Sequence, residues 1–585
     1  MDIFSFFSMI GGLALFLYGM STMGDALSKM AGGKLEHILE KMISNPIKAV
    51  LLGAGVTAVI QSSSATTVMV VGFVNSQIMK LSQAVGVIMG ANIGTTITSW
   101  MLSLTGIEGD NILIKLLKPS SFSPILAMIG IILIMFIKNE KKRDIGTILM
   151  GFAVLMFGME TMSGAVKPLA EVPEFTSLFV AFEHPVLGML VGTLLTAIIQ
   201  SSSASVGILQ AMCITGSVSF GAAIPIIMGQ NIGTCITTII SGVGANKNAK
   251  RASLIHLYFN LIGTAAFMII FYSINAFVHF EFLGETAGVV DIAIIHSLFN
   301  IVSTLVLMPA SGILEKLAFI TIPKTDEEDM QVEPKLLDER FLERPAFAVA
   351  QCKHAVCEMA QVVEQAVGLC GHIQSGYDKE TVQKIIDIED EVDIMEDELS
   401  TYLTKVSAKA LSEKDSKEVG KYIKCIVDFE RISDYAKGIA YAFKRLDKKG
   451  EKFSKSATKE AEAIFAATME VVEYTVRCFV HDDKEMAFRI NPLADIISEM
   501  KREISRNHKK RLAKGKCSVE TGMALTDMIN SLERIAKHCS NIAEESIASE
   551  TDSYAFHQYA RIMKEGNEEY KQMIEEYKER YSVWQ

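Results

Sequence analysis

Ile60-Gln61-Ser62-Ser63-Ser64-Ala65-Thr66-Thr67 interrupts an apolar run over residues 46–78, and Ile199-Gln200-Ser201-Ser202-Ser203-Ala204-Ser205-Val206 interrupts another over 185–217. The two copies lie 139 residues apart. The same offset aligns Gly90, Asn92, Ile93, Gly94 and Thr95 with Gly229, Asn231, Ile232, Gly233 and Thr234, and Tyr18-Gly19-Met20 with Phe157-Gly158-Met159. The first part of the chain is therefore duplicated. An apolar segment broken by polar residues at the same place in both halves predicts a re-entrant helical hairpin in each, with a ligand held where the halves meet. Non-helical backbone survives at membrane depth only where protein or a wet cavity satisfies its polar groups.

Around these breaks, apolar runs near the ~20 residues that cross a bilayer lie at 7–24, 84–104, 122–137, 145–162, 221–243, 252–276 and 289–309. Charge separates them from the C-terminal part of the chain. Residues 1–324 carry 17 Lys and Arg against 16 Asp and Glu, whereas the remainder carries 39 against 51. The net charge of -11 thus belongs to a soluble tail, and the absence of a basic, aromatic-interleaved surface argues against nucleic acid as a partner. Met1-Asp2-Ile3-Phe4 lacks the basic start of a cleaved leader, so the first run reads as a retained span. The fold class expected is all-α: a polytopic membrane protein with an inverted-repeat core and two re-entrant hairpins, followed by a soluble helical bundle. Its membrane domain covers 1–322, with repeat 1 over 7–104, repeat 2 over 145–243 and further helices at 122–137, 252–276 and 289–309. A linker covers 323–342 and the helical domain 343–585.

Basic residues mark the cytoplasmic side of a membrane protein. Lys29, Lys34, Lys41 and Lys48 form one cluster, Lys138, Lys141, Lys142 and Arg143 a second, and Lys247, Lys250 and Arg251 a third, whereas 163–185 and 277–288 contain only Lys167. Threading the spans through these constraints opens the first hairpin to the cytoplasm and the second to the outside. The halves come out inverted, in a multi-pass protein of the cell membrane whose tail is cytoplasmic. Nine scattered cysteines fit such a reduced compartment.

The candidate site residues are Gln61, Ser62, Ser63 and Ser64 with Gln200, Ser201, Ser202 and Ser203, adjoined by Asn92, Thr95, Asn231 and Thr234. A hairpin tip exposes N–H groups at the start of its second half-helix, the positive end of a helix dipole, and these attract anions. Serine hydroxyls can cap those groups, donate to an oxyanion or turn a lone pair toward a cation. Small-residue helix packing is the plainer use of the same serines. In Gly90-Ala91-Asn92-Ile93-Gly94-Thr95 and Gly229-Gln230-Asn231-Ile232-Gly233-Thr234, paired glycines either let the helix unwind and present carbonyls or let a neighbouring hairpin approach closely. His256 and His296, each four residues before an asparagine, serve either a proton or ligand role or a bond to a neighbouring helix.

The tail shows amphipathic helical patterns near 343–373, 377–407, 412–446, 454–482, 486–513, 518–548 and 553–582. Phe429-Glu430-Arg431-Ile432 recurs as Leu532-Glu533-Arg534-Ile535, an offset of 103. Glu430 and Asp434 stand one turn apart, a weak metal site or a solvated acidic face. No nucleophile has a base beside it, so an enzyme is not expected, nor any cofactor.

On the Gln-Ser-Ser-Ser-Ala, Gly-x-Asn-Ile-Gly-Thr and His-x-x-Phe-Asn segments, residues 1–310 resemble the sodium-dependent phosphate cotransporters, the type II class. On Asp428-Phe429-Glu430-Arg431-Ile432-Ser433-Asp434 and Ser531-Leu532-Glu533-Arg534-Ile535-Ala536-Lys537, residues 340–550 resemble PhoU-like regulators. What the resemblance implies is symport of inorganic phosphate with Na+ as the coupling ion, inward across a lipid bilayer, under a PhoU-like domain. It implies substrate and ion bound at the twelve residues named above and, by the same motif match, at Thr66, and it is compatible with a homo-oligomer. A phosphate sensor without net transport, or a symporter of another oxyanion, remain the alternatives. The copies differ at Ser205, Val206 and Cys235 against Thr66, Thr67 and Thr96, and at Lys537 against Asp434.

Overall fold

The computed structural model describes residues 3–31, 45–76, 78–106, 118–168, 172, 180–324, 337–343, 345–375, 377–548 and 568–581. Lys34, Lys41, most of the expected linker and the start of the expected helix 553–582 lie outside them. The described residues form helices and short 3-10 turns, with one isolated bridge, Ser219 to Thr286. The chain divides into two compact units, Met1–Phe347 and Ala348–Gln585.

In the first unit the helices are α1 (Ile3–Ala31), α2 (Pro46–Ile60), α3 (Ser63–Asn75), α4 (Leu81–Ser103), α5 (Pro119–Phe136), α6 (Glu140–Val166), α7 (Pro185–Ile199), α8 (Ser202–Cys213), α9 (Phe220–Ser241), α10 (Lys247–Val278), α11 (Val289–Leu307) and α12 (Ser311–Thr321). The offset of 139 carries Pro46 onto Pro185, Ser63 onto Ser202 and Leu81 onto Phe220, so the starts of α2, α3 and α4 coincide with those of α7, α8 and α9. Proline in the first turn starts both α2 and α7, where its missing N–H costs nothing.

Six helices among the described residues are long and apolar enough to cross a membrane: those containing Phe4–Met30, Leu81–Gly106, Glu140–Val166, Phe220–Ser241, Lys247–Val278 and Val289–Leu307. The expected span at 122–137 is a shorter helix, α5, with Pro124 inside it. Phe277, Ile198 and Phe136 are each more than 70% exposed, apolar surface of the kind that lipid covers.

The inversion is visible in α1 and α6. A Cβ on Gly12 would meet Gly158 O and Met162, and one on Gly19 would meet Gly151 O and Leu155. The two helices therefore run antiparallel. Because Gly12 corresponds to Gly151 and Gly19 to Gly158, exchanging the repeats maps this pair of contacts onto itself, as a two-fold axis does. A two-fold relating antiparallel helices runs across them, so it lies in the membrane plane and the repeats have opposite orientations.

In the second unit, α13 (Pro345–Ser375), α14 (Lys379–Ser407) and α15 (Glu413–Lys449) are followed by α16 (Lys455–His481), α17 (Lys484–Ala513) and α18 (Val519–Ala548), then α19 (Glu568–Arg580). Moved by 103, α14 and α15 fall on α17 and α18 to within a few residues. A helix pair is thus duplicated. Its apolar faces bury Ile426, Phe429, Ile432, Leu532, Ile535 and Ile542, and α15 and α18 pack together between the copies.

Candidate functional site

The polar interruptions are true helix breaks with the same backbone. Gln61 ends α2 at φ 59°, ψ 23°, and Gln200 ends α7 at φ 57°, ψ 26°. Left-handed backbone costs a non-glycine residue about 1–3 kcal/mol and persists where the surroundings enforce it. Among the described residues it occurs outside glycine only at Gln61, Gln200, His279 and Asp482.

Immediately beyond each break a serine caps the next half-helix. Ser62 Oγ accepts from Ala65 N at 3.1 Å, and Ser201 Oγ accepts from Ala204 N at 3.2 Å. That leaves the amides of Ser63 and Ser64, and of Ser202 and Ser203, without an acceptor inside their own helices. Ser63, Ser202 and Ser203 are buried. Each tip thus offers free N–H groups, hydroxyls and the positive end of a dipole, with no charged side chain in α3 or α8. The arrangement suits an oxyanion.

The Gly-x-Asn-Ile-Gly-Thr segments stay helical, so of the two uses open to their glycines the structure shows the close approach and not the unwinding. A Cβ on Gly90 would stand 2.0 Å from Val50 O, and one on Gly229 would stand 1.9 Å from Met189 O. Gly94 and Gly233 approach Ala54 O and Thr193 O, both at 2.5 Å by the same measure. The glycines therefore seat the hairpin's first half-helix against its spanning helix. Asn92 Nδ2 and Asn231 Nδ2 donate to Ile88 O and Ile227 O, and Thr95 and Thr234 donate to Ala91 O and Gln230 O. With their protons spent on the helix, the two threonine oxygens retain lone pairs of the kind a hard cation takes.

The second half-helices cross into the opposite repeat. Thr67 of α3 bonds Thr238 of α9 at 3.0 Å, and Gln210 of α8 donates to Ser99 O of α4 at 3.1 Å. Two histidines buttress these crossings: Thr238 bonds His256 Nδ1 at 2.9 Å, and its equivalent Ser99 bonds His296 Nδ1 at 2.8 Å. Both rings are buried. Each histidine links neighbouring helices.

The two tips differ in their bonding. In the first copy Gln61 is buried, its amide donates to Ala58 O, and its Oε1 accepts from Thr98 at 2.9 Å. Across the same hairpin Thr57 donates to Thr66 at 3.0 Å. In the second copy Gln200 is exposed. The equivalent hydroxyls of Thr196, Ser205 and Thr237 are buried without a partner, as are both amide atoms of Gln230. Leaving such a group unsatisfied costs roughly 1–3 kcal/mol. Thr57, Thr98 and Gln230 were not among the residues singled out from the sequence, although the offset of 139 pairs Thr57 with Thr196 and Thr98 with Thr237.

In the tail, Arg431 lies 3.3 Å from Glu430 and 3.6 Å from Asp434. The pair read as either a weak metal site or a solvated acidic face thus has a guanidinium as counter-charge. Among the described residues no group of three or more His, Cys, Asp or Glu is placed to hold an ion.

Residues 15–164 and 155–287 each match the Na+/Pi-cotransporter family, and residues 356–443 and 463–546 each match the PhoU domain. The chain is 24% identical over 537 residues to the putative inorganic phosphate export protein YjbB of Escherichia coli (strain K12), covering 90% of this chain and 94% of that one. It is 30% identical over 312 residues to the uncharacterized protein YqeW of Bacillus subtilis (strain 168), covering 53% of this chain and 96% of that one. A stretch of 99 residues is 36% identical to sodium-dependent phosphate transport protein 2A of Rattus norvegicus, covering 16% of this chain and 15% of that one.

Proposed function

The chain belongs to the Na+/Pi-cotransporter family and carries a duplicated PhoU domain behind its membrane unit, and on that ground we propose that it is a secondary transporter of inorganic phosphate. The observation that carries this reading is the pair of equivalent breaks: two left-handed glutamines, each followed by a serine-capped half-helix with free amides, in repeats of opposite orientation. Phosphate takes its oxygens' hydrogen bonds from the amides and hydroxyls of Ser63, Ser64, Ser202 and Ser203. Gln61 and Gln200 hold the breaks open. Thr66, Thr95 and Thr234 supply oxygens to a coupling cation.

Coupling to Na+ is the finer part of the proposal, supported by the threonine geometry and by the name of the rat relative. An inward Na+ gradient makes the flux import; the relative matched along 90% of the chain is named for export, and this favours outward flux as a second reading. In either case the tail faces the cytoplasm, as the basic residues argue. Labelled phosphate flux in proteoliposomes, with Na+ replaced by choline on either side, tests coupling and direction together. Import that requires external Na+ is expected. Equal flux in choline would rule out sodium coupling.

A further inference from the structure

The two copies within the tail have diverged in charge, and the divergence opens onto a cavity. In the first copy Glu430, Arg431 and Asp434 lie one turn apart, with Arg431 against both acids. Their equivalents in the second copy are Glu533, Arg534 and Lys537, so an acid has become a base. Glu533 is gripped from two sides, by Lys501 at 2.7 Å and by Lys537 at 2.8 Å. Arg534 has no carboxylate partner among the described residues. Its guanidinium donates to Tyr435 Oη at 2.9 Å and lies 5.5 Å from that ring's centre.

These groups line a cavity of about 780 Å³ between α15, α17 and α18. Arg445, paired with Asp527 across the groove, lines its other end. His538, held by Asp428 at 2.7 Å, stands beside Tyr435. The charge does not cancel. Four Lys and Arg face two carboxylates: Asp527 neutralises Arg445, Glu533 neutralises one of its two lysines, and the other lysine and Arg534 remain in excess.

Size and spread select the ligand. Tyr435 and Arg445 are ten residues apart on α15, which places the two ends of the groove about 15 Å apart at 1.5 Å per residue. A single orthophosphate spans a fraction of that length, and a cavity of this volume falls in the range of small-molecule sites, about 300–1,000 Å³. Guanidinium and ammonium groups arrayed along a groove recognise phosphate oxygens as planar forks and point charges.

We propose that this groove in the second PhoU copy binds a phosphate chain, either the polyphosphate of a nucleotide or an inorganic polyphosphate. The site lies wholly in the tail and does not depend on what the membrane unit carries.

The test is calorimetric titration of the detergent-solubilised full chain with ATP, inorganic tripolyphosphate, orthophosphate and adenosine in separate arms, without divalent cations. Saturable binding of ATP or tripolyphosphate is expected, weakened tenfold or more by Lys537→Asp and by Arg534→Ala and unchanged by Arg431→Ala in the other copy. ATP binding more tightly than tripolyphosphate assigns the nucleotide, and equal or reversed affinities assign the inorganic chain. Both substituted side chains are largely exposed, and the melting temperature of each variant confirms that it is folded. No saturable binding in either triphosphate arm overturns the proposal, as does binding indifferent to both substitutions. Orthophosphate or adenosine binding as tightly as the triphosphates, and weakened by the same two substitutions, would also overturn it.

Discussion

Thr98 donates to Gln61 at 2.9 Å, whereas Thr237, the equivalent of Thr98 in the second repeat, has a buried hydroxyl with no partner, and Gln200, the equivalent of Gln61, is exposed. Two copies of one sequence pattern thus occupy two bonding states within a single conformation. In an inverted repeat, exchanging the conformations of the halves yields the oppositely facing state. A Gln200–Thr237 bond is therefore expected to form as the Gln61–Thr98 bond opens.

Thr98→Val and Thr237→Val should bias that exchange in opposite directions. A hydrogen bond of this kind contributes about 0.5–1.5 kcal/mol, which corresponds to roughly a two- to tenfold shift in populations. The readout is the rate of deuterium labelling of the backbone amides around Gln200, with the glutamine itself left in place. Thr98→Val should slow labelling and Thr237→Val should not. Equal effects from both would show that the asymmetry is unrelated to access.

Gly90→Ala and Gly229→Ala each place a methyl group within 2.0 Å of a backbone carbonyl oxygen. Backbone cannot yield as a side-chain end can, so each change should cost at least the ~1–3 kcal/mol typical of overpacking. A Cβ on Gly55 or Gly164 meets nothing within 4 Å, and alanine there should be neutral or slightly stabilising. Melting temperatures of the four purified variants check the contrast. Equal stability across the set would mean that α2 and α4 do not pack as described.

Gln200→Gly separates strain from function. The glutamine's side chain makes no hydrogen bond among the described residues, and its left-handed backbone is one that glycine adopts freely. Thermal stability should hold or rise by up to about 1 kcal/mol, while phosphate flux falls tenfold or more. Higher stability with wild-type flux would remove Gln200 from the site.

Glu533 makes the tail's stability depend on pH. Burial raises its carboxyl pKa, but Lys501 and Lys537 outweigh that and hold it below its ordinary 4.5. A pKa depressed by folding contributes stability that is complete above the unfolded value and is lost as pH falls through the folded one. Wild type should therefore melt above Glu533→Gln at pH 7, and the gap should close below pH 4.5. A gap that widens in acid would contradict the pairing.

Much of this was legible because membrane sequences carry few polar residues, so Gln61 and Ser62 to Ser64 stand out and the offset of 139 marks their partners. Helix boundaries could be read too, since Pro46 and Ser62 are starting signals with local causes. The glycines of α4 and α9 were ambiguous because helix weakening and close approach make the same demand on sequence; the carbonyls of Val50 and Met189 decided for approach. Thr57 and Thr98 were hidden among threonines that fit any membrane helix. The inequality of the tips could not be read at all, because a Gln-Ser-Ser-Ser motif shared by both copies carries no record of which copy is bonded.

Whether the paired helix breaks hold the substrate is decided by binding of labelled orthophosphate to the purified full chain, measured for wild type against Ser63→Ala and Ser203→Ala. Saturable wild-type binding is expected, weakened at least tenfold by each substitution in protein that melts like the wild type. Unchanged binding in both variants would mean that the serine-capped tips are not where phosphate sits.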